Sequence, residues 1–361
     1  YLSGISFANL TGSDDVGEYI EYDFRTPEHV HSIGSFLQTF MDDYNTTNAT
    51  SVAMDLVFFR DAVSHICRLS RILLQPRGNA LLVGVGGSGR QSLTRLATYM
   101  AGAVLRQIEI SRTYGPDEWR EDIKKSLIMA GLGRSHVVFL LTDTQVFNET
   151  CLEDINGILS SGEVLNLYDP EDLDTIANDA RANATADQAR RAESNDGGGT
   201  LGRDDILAFY QRRVRERLHI VLGFSPIGSA FRKRMLQYPS FSSCCTIDWY
   251  HPWPEDALVS VAEKIIGSNM AVLGSDKLIA PVSNICMKLH ASVEHMATKF
   301  AAELGRRYYV TPTSYLELLK LFMKTLETRR GVIMGKIQRY QNGVTLLQET
   351  GIKVKDLQAE L

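Results

Sequence analysis

The stretch ALLVGVGGSGRQS, residues 80–92, decides the reading of this chain. Ala80–Val83 is a short apolar run of the kind that forms a buried strand, and over 91–101 the residues Leu93, Leu96, Ala97 and Met100 recur at helical spacing. Between them, Gly84 and Gly89 stand at the separation of a phosphate-binding loop, whose usual form is G-x-x-x-x-G-K-[ST]. The spacing has a physical reason. Successive backbone N–H groups of a glycine nest point inward, and the following helix offers its first donors to a phosphate. Backbone donors survive a change of side chain, and two side chains have changed. Arg90 replaces the lysine, keeping the charge on a bulkier, forked group. Gln91 replaces the hydroxyl that reaches Mg²⁺, and Ser92 falls one residue late on the helix turn. The nucleotide-binding candidates are Gly84, Val85, Gly86, Gly87, Ser88, Gly89, Arg90, Gln91 and Ser92. The competing reading is a glycine turn with no ligand.

Outward from the loop, strand and helix signals alternate. Strands are expected over 104–110, 137–141, 219–224 and from 245, and helices over 116–131, 148–159 and 204–218. That alternation indicates an α/β fold with a parallel sheet flanked by helices. On the N-terminal side, helices are expected over 33–44 and 52–74, after a poorly patterned stretch with a turn at Gly12 to Asp15. The second half of a phosphate-loop site is an apolar strand ending in Asp-Glu, one acid for Mg²⁺ and one for the attacking water. Residues 137–144, VVFLLTDT, offer a single acid, Asp143. Either Asp143 is the metal aspartate with Thr144 in the glutamate's place, or Thr142 and Asp143 replace the pair. Both assignments weaken hydrolysis, since this catalysis is mainly positioning and electrostatics. The plain alternative for Asp143 is a strand-end helix cap.

Composition over 169–203 shifts to Asp, Ala, Asn, Arg and Gly, ending in the glycines 197–199, and reads as an insertion, partly helical and mobile at the glycines. After Pro252 the pattern is all helical: 255–266, 277–304 and from Pro312, which Thr311 is placed to cap. From Ile333 the residues Ile337, Tyr340, Val344, Leu347, Val354, Leu357 and Leu361 make a heptad-like seam, with four glycines that weaken an isolated helix.

With 44% apolar and 22% charged residues in 361, the chain has room for two or three domains of about 100–200 residues. A net charge of -5 speaks against a nucleic-acid surface, and no apolar run has the roughly 20 residues of a membrane span. The five cysteines include no C-x-x-C pair and read as free thiols in a reducing compartment. Starting at Tyr1 without methionine and stopping inside a helical pattern, the chain is expected to be a fragment of something longer.

Taken together, 76–97, 139–145, Leu152 to Asn156, Ser161 to Glu163, Leu218 to Leu222, Ser225-Pro226, Ile247 to Trp249 and Trp253 to Asp256 resemble the fourth AAA+ module of axonemal dynein heavy chains. The resemblance covers most of 52–330. It implies that 84–91 is the Walker A loop holding ATP or ADP, with the degenerate catalytic acid Asp143 as the candidate ligand should Mg²⁺ accompany it. It also implies that Thr142 stands at the metal-aspartate position and Asp143 at that of the catalytic glutamate. Ser225 falls at the sensor-I position, Cys244 where an arginine finger is expected, and Thr313 near the sensor-II arginine. The division implied is a linking segment over 1–50, a large α/β subdomain over 51–252 with its insertion at 170–203, a small helical subdomain over 253–330 and the start of a coiled-coil stalk over 331–361. The function implied is a regulatory nucleotide-binding module, with slow or no hydrolysis, in a motor of the cilium or flagellum axoneme. Its partners would be the neighbouring AAA+ modules, other dynein chains and, through the stalk, the microtubule, with no nucleic acid or membrane. The alternative is a nucleotide-free structural ring module that supports the stalk.

Overall fold

The structure, a computed structural model, describes residues 5–8, 20–23, 27–48, 53–192 and 202–360. It divides into two compact units, Tyr1–Pro252 and Trp253–Leu361. The expected turn at Gly12 to Asp15, the glycines 197–199 and Leu361 lie outside the described residues.

The first unit opens with β1 (Ile5–Ala8) and β2 (Ile20–Asp23), an antiparallel pair, then α1 (Pro27–Thr47) and α2 (Arg60–Leu73). There follow β3 (Ala80–Val83), α3 (Arg90–Met100), β4 (Val104–Gln107), α4 (Pro116–Leu132), β5 (Val137–Thr142) and α5 (Glu149–Ser161). The unit closes with α6 (Pro170–Ala192), α7 (Arg203–Arg217), β6 (Leu218–Phe224), α8 (Ala230–Gln237), α9 (Ser240–Ser243) and β7 (Thr246–Trp249). Strands β3 to β7 form one parallel sheet in the order β4-β5-β6-β3-β7. The three inner strands are buried along their whole length, as a sheet covered by helices on both faces requires. Their residues alternate between two cores. Leu81, Val83, Phe139, Leu141, Ile220 and Leu222 face the side of α4 to α7. Ala80, Leu82, Val138, Leu140 and Val221 face α1, α2 and α3. This period of two follows directly from the strand geometry.

Two expectations change. The helix expected from 52 begins at Arg60. Residues 53–59 have no regular secondary structure: the Asn45 side chain grips Met54 at both N–H (2.7 Å) and C=O (2.8 Å), and the Leu56 N–H reaches the Met41 sulfur at 3.3 Å. A side-chain clamp from α1 has outcompeted the local helical pattern. The strand expected over 104–110 stops at Gln107, because the carbonyl of Ile108 accepts the Gln145 side-chain amide at 2.6 Å. Within the expected insertion, α6 packs Ile176, Ala177, Ala180 and Ala184 into the sheet's core. All five cysteines are free.

One buried histidine makes the unit sensitive to acid. His219, on β6, donates its Nδ1–H to the Gly78 carbonyl at 2.7 Å, so its Nε2 must accept the Nδ1–H of His136 at 2.8 Å. Burial lowers the His219 pKa from 6.5 to about 4, with the Gly78 carbonyl opposing and the His136 charge assisting. The unfolded chain therefore binds this proton near pH 6.5, while the folded one refuses it until about pH 4. The stability held by neutral His219 is complete above the unfolded value and is lost as pH falls through that window. Between pH 7.5 and 5 the expected loss is about 2 kcal/mol. His219→Phe should remove that share of the slope, read from urea midpoints of both proteins at the two pH values.

In the second unit, α10 (Glu255–Gly267), α11 (Met270–Leu273), α12 (Ile279–Leu304) and α13 (Pro312–Glu360) are the helices. Their core holds Leu258, Val261, Cys286, Tyr315 and Leu319, and Tyr315 donates its hydroxyl to the Leu258 carbonyl at 2.9 Å. The Thr311 hydroxyl accepts the Ser314 N–H at 3.5 Å, the cap expected for α13. That helix runs on through all four glycines, and its seam is exposed: Ile333 is 57% accessible and Leu347 75%. Among the described residues, no helix is long and apolar enough to cross a membrane.

Candidate functional site

The loop 84–89 springs from the C-terminal end of β3, beside that of β6. The Gly84 N–H donates to the Phe224 carbonyl at 3.1 Å, and the Ser88 N–H closes a turn on Val85 at 3.4 Å. Gly87 and Gly89 sit at φ 79° and 88°, where a side chain is strained, and Gly89 starts α3 with no side-chain cap. The first N–H groups of α3 therefore face the loop without a capping side chain. Gly84 is required by close approach, since a Cβ there would lie 2.7 Å from that of Tyr250. The Ser88 hydroxyl is buried with no hydrogen-bond partner.

Arg90 begins α3 and folds back under the loop. Its two terminal nitrogens lie 3.5 Å from the Leu82 carbonyl and 3.4 Å from that of Val85. Burial lowers its pKa, and the Asp143 carboxylate opposes the shift. An arginine stays charged through such a change, so a fixed cation lies beneath the loop. Gln91 is exposed and Ser92 half-buried on α3.

At the end of β5, Thr142 is locked in place. Its N–H (3.0 Å) and hydroxyl (2.9 Å) both meet the Gln145 side-chain oxygen, and Thr144 lies 3.1 Å from the same hydroxyl. Asp143, one residue on, has both carboxylate oxygens engaged. One accepts the backbone N–H of Ser225, at the end of β6. The other accepts from the Arg234 guanidinium at 2.6 Å. The Ser225 hydroxyl accepts the Ile227 N–H at 3.3 Å. Loop, Asp143 and Ser225 thus meet at one edge of the sheet. Cys244 lies half-buried at the end of α9, and Thr313 is exposed in the first turn of α13, within the second unit.

Two groups of residues here went unread in the sequence. Arg234 is the first. The basic cluster of 232–234 was visible, but only the phase of α8 leaves Arg232 and Lys233 exposed and turns Arg234 inward. The second lies behind the loop. Asp248 on β7 is wholly buried, bonded to His65 at 2.8 Å and to Arg68, and His65 stacks on Tyr250 with ring centroids 3.9 Å apart. Tyr250 in turn donates its N–H to Val83 at 2.7 Å, which fixes the floor under Gly84. No local pattern announces a lone aspartate in an edge strand as the partner of a helix far earlier in the chain.

The donors present suit an anion: uncapped helix N–H groups, a glycine nest, an unpartnered buried hydroxyl and a fixed arginine. They do not suit Mg²⁺. The hydroxyl position holds an exposed amide, Thr142 is committed to Gln145, and Asp143 is committed to Arg234 and Ser225. Among the described residues, no group of three or more His, Cys, Asp or Glu is placed to hold a metal ion.

The sequence family described as P-loop containing dynein motor region D4 matches residues 54–325. Dynein axonemal heavy chain 6 of Homo sapiens is 44% identical over 332 residues, 92% of this chain and 8% of the relative. Dynein axonemal heavy chain 1 of Rattus norvegicus is 42% identical over 325 residues, covering 90% and 7%. The dynein-1-beta heavy chain of the flagellar inner arm I1 complex of Chlamydomonas reinhardtii is 44% identical over 315 residues, covering 87% and 7%. The chain spans 7–8% of the length of these relatives.

Proposed function

The chain belongs to the family of P-loop containing dynein motor region D4 modules, and we propose that it is a regulatory one, holding ATP or ADP with slow or no hydrolysis. Nucleotide binding is the chemistry of its P-loop family. The single observation that carries the finer reading is the state of Asp143. The phosphate loop keeps its donors, while Asp143 is tied to Arg234 and Ser225 and its chain neighbours Thr142 and Thr144 supply no second acid. A site built this way retains phosphate affinity and lacks the pair that holds metal and aims water.

The wider role follows the relatives. As part of an axonemal dynein, the module would sit in the motor of a cilium or flagellum, beside neighbouring AAA+ modules of its own heavy chain and in an assembly with other dynein chains. Residues 51–252 would form its large subdomain and 253–330 the small helical one. Past 331, the exposed seam of α13 would begin the stalk that reaches the microtubule; an apolar stripe on a solvent-facing helix supports a missing coiled-coil partner. One observation favours the nucleotide-free alternative: Arg90 already has carbonyl partners in Leu82 and Val85.

Nucleotide released by acid from gently purified protein decides between them. Chromatography is expected to show ATP or ADP near one per chain, with turnover of added Mg-ATP far below the median enzyme's rate of about 10 per second. Folded protein that carries none, and takes up none from excess Mg-ATP, is a strut and not a regulatory site.

A further inference from the structure

The mismatch between this site and Mg²⁺ has a positive counterpart in Arg234. We propose that Arg234 stands in for the divalent cation, so that the module binds nucleotide phosphates without metal; this rests on the nucleotide-binding reading above. Position is the first argument. Arg234 lies on α8 with its guanidinium 5.1 Å above the Phe224 ring, and Phe224 is the residue whose carbonyl receives the Gly84 N–H. Arg234 and the root of the phosphate loop thus share Phe224 as a neighbour. The Arg234 side chain is 17% accessible, mostly enclosed yet still in touch with solvent. Asp143, which it grips, is close enough to act on the Arg90 charge as well.

Charge is the second argument. An ordinary site sets a lysine and a divalent cation against two carboxylates and has one net positive charge to offer. Here two arginines, Arg90 and Arg234, face one carboxylate, Asp143, and the net charge is the same with no metal present. Geometry is the third. The ion pair with Asp143 runs through one terminal nitrogen, and a guanidinium presents five N–H donors in a planar fork that matches phosphate oxygens. Arg234 can hold the acid and a phosphate together. The substitutions at Gln91 and Thr142 then read as one change: the metal's ligands are lost where an arginine supplies the charge.

The test is a titration of the intact chain with ADP and with ATP by calorimetry, once in EDTA and once in excess Mg²⁺. The expected result is a Kd that differs by less than about threefold between the two. Binding in Mg²⁺ that weakens more than about 30-fold in EDTA overturns the proposal while leaving nucleotide binding intact. No binding in either condition removes the nucleotide-binding reading itself, and this inference with it. Arg234→Met is expected to weaken binding in EDTA at least about 30-fold, with no rescue by Mg²⁺; unchanged affinity makes Arg234 a strut between α8 and β5. If that variant does not fold, Asp143→Asn decides. It should bind metal-free nucleotide at least as tightly as the parent, because a negative charge has been removed. A fall confined to Mg²⁺ conditions makes Asp143 a metal ligand and sinks the proposal.

Discussion

Asp248→Ala is expected to lower the stability of the first unit by about 3 kcal/mol, a large share of the 5–15 kcal/mol that holds a typical domain. Asp248 is 0% accessible and accepts from His65 and Arg68 at once. Removing it leaves two donors facing a cavity without their anion, and the cost of an orphaned charge exceeds that of a lost hydrogen bond. The value sits at the low end of the range for buried pairs because Arg68 is 38% accessible and can turn toward water. Arg68→Met added to Asp248→Ala is expected to recover more than about 1 kcal/mol, since it removes one stranded cation. Chemical denaturation of the three proteins checks both values. A single variant as stable as the parent would show that the cluster contributes nothing net. The effect should extend to the loop: Asp248 is in register with Leu82, and Tyr250, two residues on, forms the floor beneath Gly84.

The second large effect concerns binding. Gly87→Ala combined with Gly89→Ala is expected to weaken nucleotide affinity by roughly 30- to 1,000-fold with little change in stability. Both residues hold positive φ, 79° and 88°, and an alanine in that region costs about 1–2 kcal/mol each. Gly86 and Gly87 are exposed and Gly89 half-buried, so the tip of the loop can relax out of the strained shape when empty and the free protein escapes most of the penalty. Binding must restore the nest and bear the cost, about 2–4 kcal/mol in all, at 1.4 kcal/mol for each factor of ten. Neither substitution removes a charged group, so a loss of this size would assign the affinity to backbone donors. Affinity within threefold of the parent would mean that side chains, Arg90 first, carry it.

Much of this architecture was legible because its signals are local. The inner strands announce themselves as apolar runs, and the parallel sheet follows from their alternation with helices. Helix α4 was readable from Trp119, Ile123 and Leu127, all buried in the structure. The misreadings came where a distant group intervened. Asn45 captured Met54 and cancelled the first turns of an expected helix. The core role of α6 was hidden by a composition rich in Ala and Asp, because small alanines bury against a neighbour without an apolar stripe to advertise it.

By itself, the sequence determined the strand, the glycine loop and the helix of 80–100, the family they belong to, and the loss of the lysine, hydroxyl and second acid. Each is a property of adjacent residues, and adjacency is what a sequence records. Only the tertiary structure decided which cation faces Asp143 and which acid anchors the loop's floor. Arg234 lies 91 positions from Asp143, and Asp248 lies 180 from Arg68. Arginines and aspartates are common along the chain, and no local rule pairs two of them. The pairing is fixed where parallel strands end side by side, since β5, β6 and β3 bring Asp143, Ser225 and Gly84 to one edge of the sheet. A short helix then turns Arg234 into that edge.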